Sequence, residues 1–200
     1  MRQHREAKIR ELEGKHGELS TGAVTFAHTE CRAEEARCIL PTPIGPLRIV
    51  ASGGFIVEVQ LTSHPTAGGE TSHPHHQTPM EQTSKTKSPL LLEACRQLEE
   101  YFSHQRKTFQ LPTKQAGTPF QQQVWQVLES IPYGETRSYQ DIARAIGNPK
   151  AMRAVGQANN RNKILILVPC HRVIQKDGQL GGFEFGVDAK KWLLELECQT

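Results

Sequence analysis

Apolar positions along the chain change regime several times. Residues 1–36 are rich in Arg, Lys, Glu and Gly and lack sustained apolar periodicity, which predicts a charged extension, partly helical or disordered. Residues 37–41, 46–51 and 55–61 read as three strands joined by a Pro-Gly and a Gly-Gly turn. Residues 63–88 are rich in Pro, Thr, Ser, Gly and His, so a flexible excursion is expected before a helix at 89–103. From Thr118, with Pro119 in a first-turn position, Phe120, Val124, Val127, Leu128 and Ile131 recur at helical spacing.

Ser138 is answered three residues later by Asp141, and the segment closes on Gly147, the signature of one short capped helix. Asn148-Pro149 restarts the chain with proline suited to a first helical position, and residues 150–160 predict a second helix. Together they make a helix-turn-helix. Its second helix puts Ala151, Ala154 and Ala158 at helical spacing beside Arg153 and Gln157. Small residues admit a close neighbour, either the rest of the domain or a DNA groove. An apolar run at 164–168 then reads as a strand, Asp177-Gly178 as a hairpin turn, and 187–197 as a last helix whose Lys190, Leu193, Leu194 and Glu197 lie on neighbouring turns.

Two hundred residues can bury a real core, and a net charge of +3 is compatible with phosphate contact without requiring it. No apolar stretch approaches membrane-spanning length, and residues 1–6 lead into no signal-peptide core, so an intracellular protein is expected, cytoplasmic, or nuclear in a eukaryote. Five irregularly spaced cysteines argue against a disulfide framework and suit a reducing compartment.

Among those cysteines, Cys170 stands apart in Val168-Pro169-Cys170-His171-Arg172-Val173. A thiol attacks only as thiolate, and His171 and Arg172 are both able to raise the thiolate fraction. The same segment also describes a buried structural cysteine beside a surface histidine. In an extended segment Cys170 and His171 point to opposite faces, so a bridging water fits better than a direct hydrogen bond.

Several motifs in fixed order extend this picture: Thr118 to Trp125, Ile131-Pro132-Tyr133-Gly134-Glu135-Thr136, Ser138-Tyr139-Gln140, Arg153-Ala154-Val155-Gly156 and Pro169 to Val173. In them the chain resembles the O6-alkylguanine-DNA alkyltransferases, the methylated-DNA-protein-cysteine methyltransferases. The resemblance runs from about Pro41 to Glu197, and Asn162-Lys163-Ile164-Leu165 makes it most similar to the alkyltransferase domain of bacterial adaptive-response regulators. It implies an α/β (α+β) fold: an amino-terminal domain at 37–112 with an antiparallel three-stranded sheet and a helix, then a mainly helical, winged-helix-like domain at 113–200.

The resemblance also implies chemistry. Cys170 would take the alkyl group once and irreversibly, with His171 accepting its proton through water and Glu197 orienting His171. Asn162 would brace the turn, Lys190 would stand nearby, and Tyr139 would donate a proton to the departing base. The target base would be flipped out of duplex DNA through the minor groove, with Arg153 filling its place. Tyr139, Gln140, Ala151, Ala154, Asn148 and Lys176 would contact the DNA. Phe183, Glu184 and Phe185, with Leu165, Val168 and Pro169, would wall the alkyl pocket. Phe183 replaces a usual tyrosine, and Glu184 and Phe185 replace smaller residues, which predicts a pocket favouring methyl over benzyl adducts. The expected partner is double-stranded DNA carrying O6-alkylguanine, with O4-alkylthymine as a second lesion. The protein would be a monomer needing no metal or organic cofactor.

Cys31, Cys38 and the histidines at 73, 75 and 76 are zinc-ligand types, but no paired second motif accompanies them, and a solvated linker is expected. Two other classes stand beside this reading. A non-catalytic lesion binder would keep Tyr139 and Arg153 without transfer, and a cysteine hydrolase would need an oxyanion hole and would turn over repeatedly.

Overall fold

A computed structural model describes residues 35–62 and 88–199. The charged extension, Glu35 and Ala36 excepted, with Cys31, and the histidine-bearing excursion, Ser88 excepted, lie outside the described residues. Strands β1 (Ala36–Leu40), β2 (Leu47–Ser52) and β3 (Phe55–Leu61) form an antiparallel sheet in that order. Leu47, Ile49, Ile56 and Val59 are fully buried from the sheet. Helix α1 (Pro89–Phe102) lays Leu91, Ala94, Leu98 and Tyr101 against them at the three-and-four spacing of one helix face.

The outer edge of β3 joins this sheet to the rest of the molecule. Ile56 N donates to Pro112 O at 2.8 Å and Lys114 N to Ile56 O at 3.0 Å. Further along, Val59 N donates to Lys163 O at 2.8 Å and Leu165 N to Val59 O at 2.9 Å. The edge is thereby paired, and residues 163–165 are anchored at a defined height above the core.

Helix α2 (Pro119–Glu129) begins with a complete capping box between Thr118 and Gln121 and buries Val124, Trp125 and Leu128. The two-residue strand β4 (Arg137–Ser138) runs into α3 (Tyr139–Ala145), which Ser138 and Asp141 cap reciprocally. Helix α4 (Met152–Asn160) packs on α2 and α3, and Trp125 Nε1 donates to Ala158 O at 2.9 Å. A three-residue 3₁₀ turn (Cys170–Arg172), strand β5 (Val173–Ile174) and helix α5 (Val187–Cys198) complete the order.

Three expectations are corrected. Helix α4 starts at Met152, because Asn148-Pro149-Lys150-Ala151 closes as a β-turn, with Ala151 N donating to Asn148 O at 3.0 Å. Proline at the second position of that turn is as well suited as at a helix start. Ala158 turns into the core at 2 % exposure while Ala154 is exposed, so the small-residue face is split. Asp177-Gly178 forms the expected hairpin turn: Gly178, at φ +84°, donates its N–H to Gln175 O at 3.0 Å, and Gln175 N donates to Gln179 O at 2.8 Å. The apolar run at 164–168 is not a strand leading to the cysteine. It bends at Ile166, where φ is +72° and Leu167 N reaches back to Leu165 O at 2.9 Å.

Candidate active site

The bend at Ile166 is a left-handed γ-turn, an uncommon conformation for a β-branched residue. Full burial of Ile164, Leu165, Ile166 and Val168 holds it. Pro169 (φ −81°, ψ 64°) makes a second, inverse γ-turn, with Cys170 N donating to Val168 O at 2.8 Å. Asn162 ties the two turns together: its Nδ2 donates to Val168 O at 2.8 Å, and its Oδ1 accepts from Ile164 N at 3.0 Å. Gln115 supports Asn162 from the segment beside β3, donating to Asn162 Oδ1 at 3.1 Å and accepting from Lys163 N at 2.9 Å. The cysteine is therefore delivered by a braced double bend, and Cys170 and His171 lie in a 3₁₀ turn rather than on opposite faces of an extended strand.

Behind the turn, Glu197 on α5 collects hydrogen bonds from three other parts of the chain. His171 Nε2 lies 2.8 Å from its Oε1, and Arg172 donates from Nε at 2.8 Å and from Nη2 at 2.9 Å. Tyr101 of α1 donates its hydroxyl at 2.7 Å, and Gly134 N donates at 3.1 Å. Burial opposes ionisation of Glu197, but the bonds from His171 and Arg172 outweigh it and hold the carboxyl well below the usual range. Arg172 also donates to Ile131 O at 2.6 Å, so its charge is committed to Glu197 and not to Cys170 as the sequence suggested.

These partners set the protonation states. A carboxylate on Nε2 requires the Nε2–H tautomer, which leaves Nδ1 of His171 as acceptor. That nitrogen is buried with no hydrogen-bond partner among the described residues. Burial, with Arg172 and Lys190 nearby, lowers the His171 pKa although Glu197 pulls the other way, so the imidazole is neutral at pH 7. Burial pushes the Cys170 thiol up to about 11, while Asn162 and Lys190 favour the thiolate and Glu184 opposes it. Lys190 is itself fully buried, donates to Val173 O at 2.6 Å, and is lowered by burial to about 8. A thiol with a pKa of about 11 is ionised only about once in 10⁴ molecules at pH 7, so Cys170 rests as the thiol beside an unprotonated base.

On the open side, the parallel pairing of Arg137 with Val173 and of Ser138 with Ile174 sets Tyr139 next to the cysteine turn. Burial, then the Cys170 charge, raises the Tyr139 phenol, which stays protonated. Tyr139, Gln140, Met152, Arg153, Gly156, Lys176, Gly181 and neighbouring residues line an open cleft of about 420 Å³. Gly181 has φ +65°, which favours glycine, and a Cβ there would lie in tight contact, 3.3 Å from the Tyr139 hydroxyl. The half-buried Ala151 and exposed Asn148 and Ala154 lie around the same helical turn.

Two carboxy-terminal features meet here: a thiol–imidazole–carboxylate series and a helix-turn-helix cleft opening beside it. The family description "6-O-methylguanine DNA methyltransferase, DNA binding domain" matches residues 119–199, and its "ribonuclease-like domain" matches residues 38–115. The chain is 48 % identical over 157 residues to the constitutive methylated-DNA–protein-cysteine methyltransferase of Bacillus subtilis, covering 78 % of this chain and 91 % of that one. This chain belongs to the O6-methylguanine-DNA methyltransferase family. Its fold is also similar to the crystal structure of Mycobacterium tuberculosis O6-methylguanine methyltransferase, with TM-score 0.65, 37 % identity and coverage of 82 % and 93 % of the two chains. A Mycobacterium tuberculosis OGT solved in complex with DNA matches with TM-score 0.65 and 41 % identity over 80 % of this chain and 91 % of that one.

Within this methyltransferase fold, Cys170, His171, Glu197, Asn162, Lys190 and Tyr139 are gathered around one turn. Leu165, Val168 and Pro169 are buried and do not line the Tyr139 cleft. Phe183 and Phe185 make an edge contact with ring centroids 5.9 Å apart, and Phe183 lies over Lys190 at 6.0 Å. Glu184 is exposed, yet its charge is felt at Cys170. Three further residues escaped the sequence reading. Tyr101 and Gln115 act across 96 and 47 residues, separations that carry no local spacing signal. Asn159, whose Nδ2 donates to Cys170 O at 3.2 Å, was legible only as a polar residue on the buried face of α4.

Proposed function

We propose that this protein repairs O6-alkylguanine in duplex DNA by moving the alkyl group, once and irreversibly, to Cys170. The observation that carries the reading is the buried His171–Glu197 pair, whose unpartnered Nδ1 is the proton acceptor for a thiol that is otherwise un-ionised. The Cys170 proton passes through a bridging water to His171 Nδ1, and Glu197 stabilises the imidazolium that forms. The sulphur attacks the alkyl carbon in line, the C–O6 bond breaks, and Tyr139 gives its proton to the departing guanine. The alkyl group ends on sulphur as a thioether, which water does not reverse, so each molecule acts once. No step draws on a metal or an organic cofactor.

Access to the base requires extrusion from the stack. Arg153 fills the gap left in the duplex, and Tyr139, Gln140, Ala151, Ala154, Asn148 and Lys176 contact the DNA around the Tyr139 cleft. Residues 113–200 then carry both the contacts and the chemistry, and residues 37–112 buttress them through Tyr101 and the β3 edge. A DNA substrate supports a location in the cytoplasm, or in the nucleus of a eukaryotic cell. The test is intact mass after incubation with duplex DNA containing O6-methylguanine, alongside Cys170→Ala. One methyl-sized gain per wild-type molecule and none on the variant is expected. Preferential binding of the lesion duplex without any mass gain would overturn the catalytic part and leave a lesion binder.

A further inference from the structure

Two cysteines lie apart from the turn that carries Cys170. Cys38 on β1 and Cys95 on α1 meet across the seam between sheet and helix with their sulphurs 3.4 Å apart, and both are only part-buried. A disulfide needs about 2.05 Å between sulphurs. The remaining gap is little more than 1 Å.

The pair is also chemically primed. When one thiol of such a pair ionises, the other donates its S–H to the thiolate. The hydrogen bond to Cys95 accordingly lowers the Cys38 pKa against burial, while the same bond, burial and the Cys38 charge push Cys95 the other way. One sulphur therefore gives up its proton more readily than a lone thiol, with a second sulphur already in contact. Such thiolate character together with partial exposure marks a cysteine that oxidises ahead of buried thiols.

We propose that Cys38 and Cys95 form a reversible disulfide site whose oxidant is a hydroperoxide, and that they oxidise while Cys170 remains a thiol. The Cys38 thiolate attacks one peroxide oxygen, forming an S–O bond as the O–O bond breaks, and the other oxygen leaves with a proton as water or alcohol. The Cys95 sulphur then displaces the hydroxyl of the Cys38 sulfenic acid as water, completing the S–S bond. Two electrons pass from the sulphurs to the peroxide, and a small dithiol reverses the step by exchange. The bond closes a chain segment of 57 residues, so loop-closure entropy predicts a melting temperature raised by about 10 °C.

The test treats the full chain and its Cys38→Ser and Cys95→Ser variants with hydrogen peroxide. The remaining thiols are then capped, and the proteins are mapped by peptide mass spectrometry. A Cys38–Cys95 crosslink, absent in both variants and reversed by dithiothreitol, is expected, with Cys170 capped as free thiol and the crosslinked protein melting higher than the reduced one. Crosslinks through Cys31, Cys170 or Cys198, oxidation of Cys170 before the pair, or a crosslinked protein that melts lower would each overturn the proposal. None of these readouts depends on alkyl transfer.

Discussion

Replacing Glu197 by Gln keeps the shape of the side chain and removes its charge, which isolates what the carboxylate contributes. Five donor atoms converge on it, including both Arg172 nitrogens, and Arg172 is only 6 % exposed. Removing one partner of a buried ion pair leaves the other charge uncompensated, at a cost of about 3–5 kcal/mol. Against a total of about 5–15 kcal/mol, the variant should fold but melt early. The same change removes the charge that stabilises the imidazolium and replaces one of the two acceptor oxygens by a donor, which loosens the His171 tautomer, so transfer should slow by about 10²–10⁴-fold, the range for loss of general-base function. Tyr101→Phe deletes one of the five bonds and leaves His171 and Arg172 in place, so it should cost about 1–3 kcal/mol in stability with little change in rate. Urea unfolding and single-turnover transfer to O6-methylguanine DNA separate the two effects. There is also a pH signature. The Glu197 pKa is depressed in the folded state, so its contribution is complete above the unfolded carboxylate value, about 4.3, and fades as pH falls through the folded value. The stability gap between wild type and Glu197→Gln should therefore narrow below about pH 4. Transfer by Glu197→Gln within twofold of wild type, or a gap that widens in acid, would refute the reasoning.

Further outcomes follow from the same geometry. Asn162→Ala removes the bonds to Val168 O and from Ile164 N and one of the influences favouring the Cys170 thiolate. It should cost about 1–3 kcal/mol by urea unfolding and slow transfer in the same variant. Gly117→Ala would push a Cβ to 2.5 Å from the Trp125 ring, so a loss of about 1–3 kcal/mol is expected in thermal melts. Transfer rate against pH should stay level from about 6.5 to 7, with His171 neutral and Lys190 charged, and change as pH passes about 8 and Lys190 loses its proton. Below that window it should fall only as pH reaches the lowered His171 value. Slow loss of activity on exposure to free O6-benzylguanine, followed by residual transfer, is expected from the paired Phe183 and Phe185 rings; rapid inactivation at micromolar concentration would count against the tight pocket.

Elements that carry their own punctuation were legible in the chain. Pro89, Thr118-Pro119 and the Ser138–Asp141 pair mark helix starts, and the observed helices begin there. The strands of the small sheet were bounded by turn residues and differ from expectation by one residue at most ends. The segment before Cys170 was misread because five apolar residues in a row satisfy a strand pattern locally. What bends them is long-range: the β3 edge fixes Ile164 and Leu165, and Asn162 with Gln115 pulls Val168 back. Pro149 failed for a related reason, since proline suits both the second position of a turn and a helix start, and only the neighbouring element selects one. Glu197 was placed by helix register and resemblance, but its bond to Tyr101 could be seen only once α1 was packed beside α5.

Holding the nucleophile in this way has a consequence for a protein that can use it only once. A cysteine kept as thiolate at rest would react with any small electrophile or oxidant in reach, and each such event would remove one molecule from service. At Cys170, burial favours the thiol while the neutral, carboxylate-backed His171 waits as acceptor. The proton then moves when an alkyl carbon is held in line, and reactivity is tied to occupancy of the site rather than to the ambient thiolate fraction. The part-buried Cys38–Cys95 pair has the opposite character, sharing a proton where solvent can reach it. The lowered Cys38 thiol at the seam and the raised Cys170 thiol in the turn divide oxidants from alkyl groups. The selectivity rests on burial, and a variant that opened the Cys170 turn to solvent would lose it even with all catalytic side chains in place.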